Sequence, residues 1–134
     1  MPAYKNTLRY KHMVARLEKL PFYKLETAVL GEIAKGRRWR IEAAIEALSK
    51  HEDRFNYVNY MGLIEACGRF GRLTAIHRLA DVYQWEKKKS EHSPSPHGAP
   101  EAFDMAVIHG HYRVAEFCRS YGARPDIMIH RDRN

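Results

Sequence analysis

His109-Gly110-His111, the cysteines Cys67 and Cys118, and the run Gly68-Arg69-Phe70-Gly71 are where this chain could do chemistry. A His-x-His pair suggests a metal ion. Histidines two apart do not share a helix face, however, and no cysteine or carboxylate cluster completes a tetrahedral set. A thiol with a histidine nearby suggests a nucleophile. Both cysteines stand in apolar, helix-patterned surroundings, where burial raises a thiol pKa and leaves it inert. Gly68–Gly71 is too short for a phosphate-cradling loop, and Arg72 follows it instead of Gly-Lys-Ser/Thr. No Ser/His/Asp arrangement has local support. The expectation is a non-enzymatic chain with no catalytic residue, no cofactor and no metal.

Charge is the next signal. The 134 residues carry 23 Lys and Arg against 16 Asp and Glu, a formal net charge of +7. Residues 1–24 hold Lys5, Arg9, Lys11, Arg16, Lys19 and Lys24 against the single acid Glu18. An excess gathered at one end points to an acidic partner: nucleic acid, an anionic membrane or an acidic protein surface. No apolar run approaches the ~20 residues of a membrane span, and the first twenty residues hold no uninterrupted apolar segment of the signal-peptide kind. Two cysteines in core-like positions make no disulfide framework. The compartment expected is intracellular and reducing, cytoplasm or nucleus, without secretion.

The positioning elements read as helices. Tyr10, Met13, Val14, Leu17 and Leu20 make one apolar stripe within a helix over residues 4–20, stopped by Pro21. The stripe suits packing against the next helix. Thr27–Ala34 and Ile41–Leu48 are two short helices turning at Gly36, and residues 51–59 are a connector. The pattern repeats from Tyr60 through Gly71 to Tyr83, and again from Glu101 through Gly110 to Tyr121. Residues 86–100, with three prolines, three serines and a lysine run, read as an inserted loop.

These units register on one another. Arg37–Ile41 aligns with Gly71–Ala75 at an offset of 34, and the latter with Gly110–Val114 at an offset of 39. Ile45, Leu79 and Cys118 then correspond, as do Ile33, Cys67 and Ala106. A period near 34 built from two short helices suits both ankyrin and tetratricopeptide units. The third copy separates them. Ala106-Val107, the Gly110-His111 turn, Val114, Phe117 and Cys118, then Gly122-Ala123 with Pro125-Asp126, resemble the ankyrin-repeat family. The second copy keeps the helices and Gly71, with Arg72 in place of the usual histidine. The first keeps the apolar skeleton, with Arg37 set against the turn glycine.

The resemblance implies an all-α fold: a short ankyrin-like α-solenoid in which each helix pair needs a stacked neighbour. Residues 1–24 form its basic, amphipathic N-terminal capping helix. Residues 25–134 form the repeat domain, with units at about 26–58, 59–100 and 101–134. It also makes His111 a turn-bonding residue and sets Cys67 and Cys118 in the core. Turn positions then bring Lys35, Arg38, Arg40, Arg69, Arg72, His109 and Arg113 into a basic ridge beside Lys11 and Arg16. The function expected is a protein-interaction module or assembly component that binds an acidic protein surface. The alternative is binding of RNA or DNA backbone, with Tyr4, Tyr10 and Tyr23 available to stack bases.

Overall fold

The computed structural model describes residues 3–86 and 95–123, and only the backbone of residues 57–59. A 3-10 turn, Ala3–Asn6, precedes seven helices among the described residues: α1 (Leu8–Glu18), α2 (Phe22–Lys35), α3 (Arg38–Ser49), α4 (Tyr57–Phe70), α5 (Leu73–Val82), α6 (Ala99–Ile108) and α7 (Tyr112–Ser120). The described residues hold no strand. None of these helices is long and apolar enough to cross a membrane.

Local chemistry sets the boundaries. The helix expected over 4–20 is broken at Thr7, whose hydroxyl accepts the Tyr10 N–H at 3.3 Å and caps α1. Pro21, with φ −62°, is the N-cap of α2. Gly36 and Gly71 end α2 and α4 at φ +83° and +71°, where a side chain would be strained. Helix α4 begins at Tyr57, inside the expected connector. The loop expected over 86–100 is also shorter than its composition suggested. Gly98 and Ala99 are buried, Gly98 lies against Ile64, and α6 already starts at Ala99. Residues 87–94 of that loop, and the Pro125-Asp126 exit, lie outside the described residues.

The helices pack in two successions. Helices α2, α4 and α6 touch in that order, and so do α1, α3, α5 and α7; within each hairpin α2 packs on α3, α4 on α5 and α6 on α7. The contact between α4 and α6 is the most extensive, because Gly68 admits the α6 backbone: a Cβ there would collide with the carbonyl oxygen of Ala102. Helix α1 lies mainly on α3, with Tyr10, Met13, Val14 and Leu17 buried. One core runs through the stack, and Leu25, Val29, Ile33, Leu48, Ile64, Ile76, Leu79 and Cys118 are completely enclosed.

The turns correct the sequence registration by one residue. Gly36, Gly71 and Gly110 all have positive φ, so Gly36 is the turn glycine of the first hairpin and Arg37 stands with Arg72 and His111, which follow the other two. Counting from these glycines, Glu32 corresponds to Cys67 and Ala106, and Ala44 corresponds to Leu79 and Cys118. All six are buried. The first offset is therefore 35, and the single residue was hidden because Ile33 and Ile45, which the sequence set at these positions, are buried as well, while the true register puts an acid, Glu32, at one of them.

Candidate interaction surface

Three of the bases named from sequence have partners within the protein, two of them on other helices. Arg40 holds the buried Glu32 with its Nε and Nη2, at 3.0 Å to each carboxylate oxygen in turn. That hydrogen bond, together with the carboxylate's charge, pushes the Arg40 pKa further up. Arg72 reaches back to the preceding hairpin, where its Nε donates to the Ile33 carbonyl at 2.7 Å and its Nη2 to the Ala34 carbonyl at 3.0 Å. These are carbonyls that the end of α2 leaves without a helical partner. A Cβ at Gly36 would sit 2.6 Å from the Arg72 guanidinium. Arg69 pairs with Glu65 one turn earlier at 2.8 Å.

The next hairpin repeats the arrangement with different chemistry. His111 lies against Gly71, where a Cβ would stand 2.5 Å from its Nδ1. The Arg72 and His111 N–H groups donate to the Cys67 and Ala106 carbonyls, each five residues back. Each of the first two hairpin turns is thus covered by the residue that follows the turn glycine of the next hairpin.

The remaining bases point outward. Lys11, Arg16, Lys35, Arg38, His109 and Arg113 are exposed and make no ion pair with a described residue. Lys35 and Arg38 flank the turn of the first hairpin, and His109 and Arg113 flank that of the third. Lys11 lies on the flank of α1 shared with Glu18, which pairs with Lys50 at 2.9 Å. Arg16 lies on the other flank, with Arg9, His12 and Lys19, at i, i+3, i+7 and i+10 from Arg9. Arg38 borders a recess of about 280 Å³ between the first two turns, together with Arg72 and Thr74.

Sequence reasoning left Arg9, Lys19 and Lys24 out of the site. The signal that would have found Arg9 and Lys19 is the helical spacing they share with Arg16. The Arg9 guanidinium sits 4.7 Å from the centre of the Trp39 ring, and Arg40 sits 5.3 Å from it. This contact brings the basic flank of α1 up to the α2–α3 turn. Residues 3–49 contain ten Lys and Arg and five Asp and Glu. Four of those acids, Glu18, Glu32, Glu42 and Glu46, are already held by Lys50, Arg40, Lys5 and Arg78.

The tyrosines intended for base stacking are placed otherwise. Tyr10 is buried and donates to Glu46 at 3.1 Å, Tyr4 packs on it with ring centres 5.8 Å apart, and Tyr23 alone of the three is exposed. Both cysteines are buried. Desolvation raises the Cys67 pKa, with the nearby Cys118 thiol adding to it, and desolvation pushes Cys118 up to about 12. Among the described residues no group of three or more His, Cys, Asp or Glu is placed to hold a metal ion. Comparison with family models, curated proteins and solved structures gives no match for this chain.

Proposed function

We propose that this chain is a non-enzymatic interaction module, an ankyrin-like stack of three helix hairpins capped by α1, that binds an acidic protein surface. The observation that carries this reading is the set of exposed cations at the N-terminal end. Arg16, Lys19, Lys24, Lys35, Arg37 and Arg38 have no ion-pair partner among the described residues, while four of the five acids nearby are already neutralised. Such charges raise association rate and salt sensitivity more than fold stability. The hairpin succession and the backward contacts of Arg72 and His111 support the ankyrin-like part of the reading. A protein partner is favoured over nucleic acid because Tyr4 and Tyr10 are committed to packing, which leaves few rings to stack bases.

The test is charge reversal at positions outside the internal ion pairs. The triple variant Arg16→Glu, Arg37→Glu, Arg38→Glu should lose most affinity-capture of protein partners at low salt while its circular-dichroism melt stays within a few degrees of wild type. Undiminished capture by the folded variant would defeat the reading. Capture that disappears on nuclease treatment would transfer it to nucleic acid, where a salt slope proportional to the number of phosphates contacted is expected.

A further inference from the structure

The two successions of helices are unequal. One has α1, α3, α5 and α7; the other has α2, α4 and α6, so among the described residues no helix precedes α2 in its succession, and α2 touches α1 only slightly. We propose that this place is a docking groove for an acidic amphipathic helix of a partner protein, which would extend the shorter succession by one member. The inference rests on the reading above and names the kind of partner and its seat.

Both walls of the groove are basic. On α2, Glu26 and Ile33, seven residues apart, share the flank toward the second hairpin, whose Arg72 reaches the Ile33 carbonyl. Lys24, Ala28, Gly31 and Lys35, at i, i+4, i+7 and i+11, run along the flank away from that hairpin. The lysines are exposed, and a Cβ at Gly31 would meet nothing within 4 Å. The other wall is the α1 flank of Arg9, His12, Arg16 and Lys19. Its orientation follows from two contacts: Arg9 shares the Trp39 ring with Arg40, which holds Glu32 of α2, while Glu18 on the opposite flank turns to Lys50.

Charge complementarity selects the occupant. Cations line the groove on two sides at helical spacing, and small residues lie between the two lysines of α2, so carboxylates along a helix of 8–10 Å packing distance can meet both walls. A nucleic-acid duplex is about 20 Å across, wider than the place one missing helix leaves.

The probe is a fluorescein-labelled peptide of about 18 residues, long enough to populate a helix, with Glu on one face and Leu and Ala on the other. Wild-type protein should bind it in fluorescence anisotropy and should ignore the same peptide with Lys in place of Glu. Gly31→Trp sets a large ring in the groove at a position where a Cβ meets nothing within 4 Å. It should weaken binding more than about tenfold, whereas Gly62→Trp, at an equally open glycine on α4, should leave it unchanged. Equal binding by both tryptophan variants would overturn the groove while leaving an acidic-partner function standing elsewhere on the surface. No binding of the acidic peptide by wild type at low salt would overturn both. Tighter binding of single-stranded poly-uridine than of the peptide, lost in Lys24→Glu/Lys35→Glu, would assign the groove to nucleic acid and overturn the proposal.

Discussion

Arg72 shows how one side chain can be claimed by stability rather than by a partner. Its two bonds to the Ile33 and Ala34 carbonyls span 39 and 38 residues of sequence. Arg72→Ala should lower stability by about 1–3 kcal/mol, since a charged donor is withdrawn from helix-end carbonyls. A urea midpoint that falls at unchanged slope would show it; an unmoved midpoint would mean that water serves those carbonyls equally well. Arg40 carries the same lesson over a shorter distance. Glu32 and Arg40 lie four residues either side of Gly36, so the hairpin sets them opposite each other. That pairing was legible in the sequence once the turn glycine was assigned, but searching for apolar stripes passes over an acid in a core position. Titration also acts at this scale. Cys67, Cys118, Tyr10 and Tyr83 all have pKa values raised first by burial. Their neutral forms belong to the folded state, so the fold binds more protons than the unfolded chain once pH exceeds the unfolded values. Stability should therefore be complete below about pH 8.5, the unfolded thiol value, and fall as pH rises from there toward about 12. Cys118→Ala should be less stable at neutral pH yet lose less between about pH 8 and about pH 10, as read from urea midpoints. An identical alkaline slope in the variant would remove Cys118 from this account.

The helices themselves were readable because each has an apolar stripe at a 3.6-residue period and a glycine or proline at an end. Where the reading slipped, a second determinant was acting. Thr7 divided the first helix by capping, and Gly98 with Ala99 belonged to the core although proline and serine surround them in sequence. The closeness of α4 and α6 was not legible, since a glycine in a helical pattern reads as a weak position. In the structure Gly68 is where the two backbones meet. Gly68→Ala ought to raise helix propensity in isolation and yet destabilise the protein by about 1–3 kcal/mol, because the added methyl forces α6 outward. Thermal melting of this variant beside Gly62→Ala, which meets open space, separates the two effects. A stabilised Gly68→Ala would mean that the two helices can separate without loss.

At the scale of the whole molecule, the sequence disclosed an internally repeated, all-helical chain with a basic end. It did not disclose which bases were free, because that depends on contacts between hairpins. The bases divide accordingly: Arg40 ties α3 to α2 and Arg72 ties the second hairpin to the first, Arg69 makes an exposed pair within α4, and Arg16, Lys19, Lys24, Lys35, Arg37 and Arg38 are exposed with no ion-pair partner among the described residues. The covered turns have one further consequence, a direction of assembly. Arg72 secures the hairpin before it, and His111 lies on the turn before its own. Both contacts run toward the N-terminus, so each of the first two hairpins is completed by its successor. Loosening should therefore travel from the third hairpin to the first. In hydrogen-exchange mass spectrometry at low urea, the α6–α7 segment should exchange first, the α4–α5 turn next and the α2–α3 turn last, and His111→Ala should speed exchange at the α4–α5 turn before any change at Gly36. Exchange that began at Gly36 would show the opposite polarity. A stack latched this way keeps its most durable hairpin at the end where the free cations lie, so a bound partner would hold on to the part of the molecule that opens last.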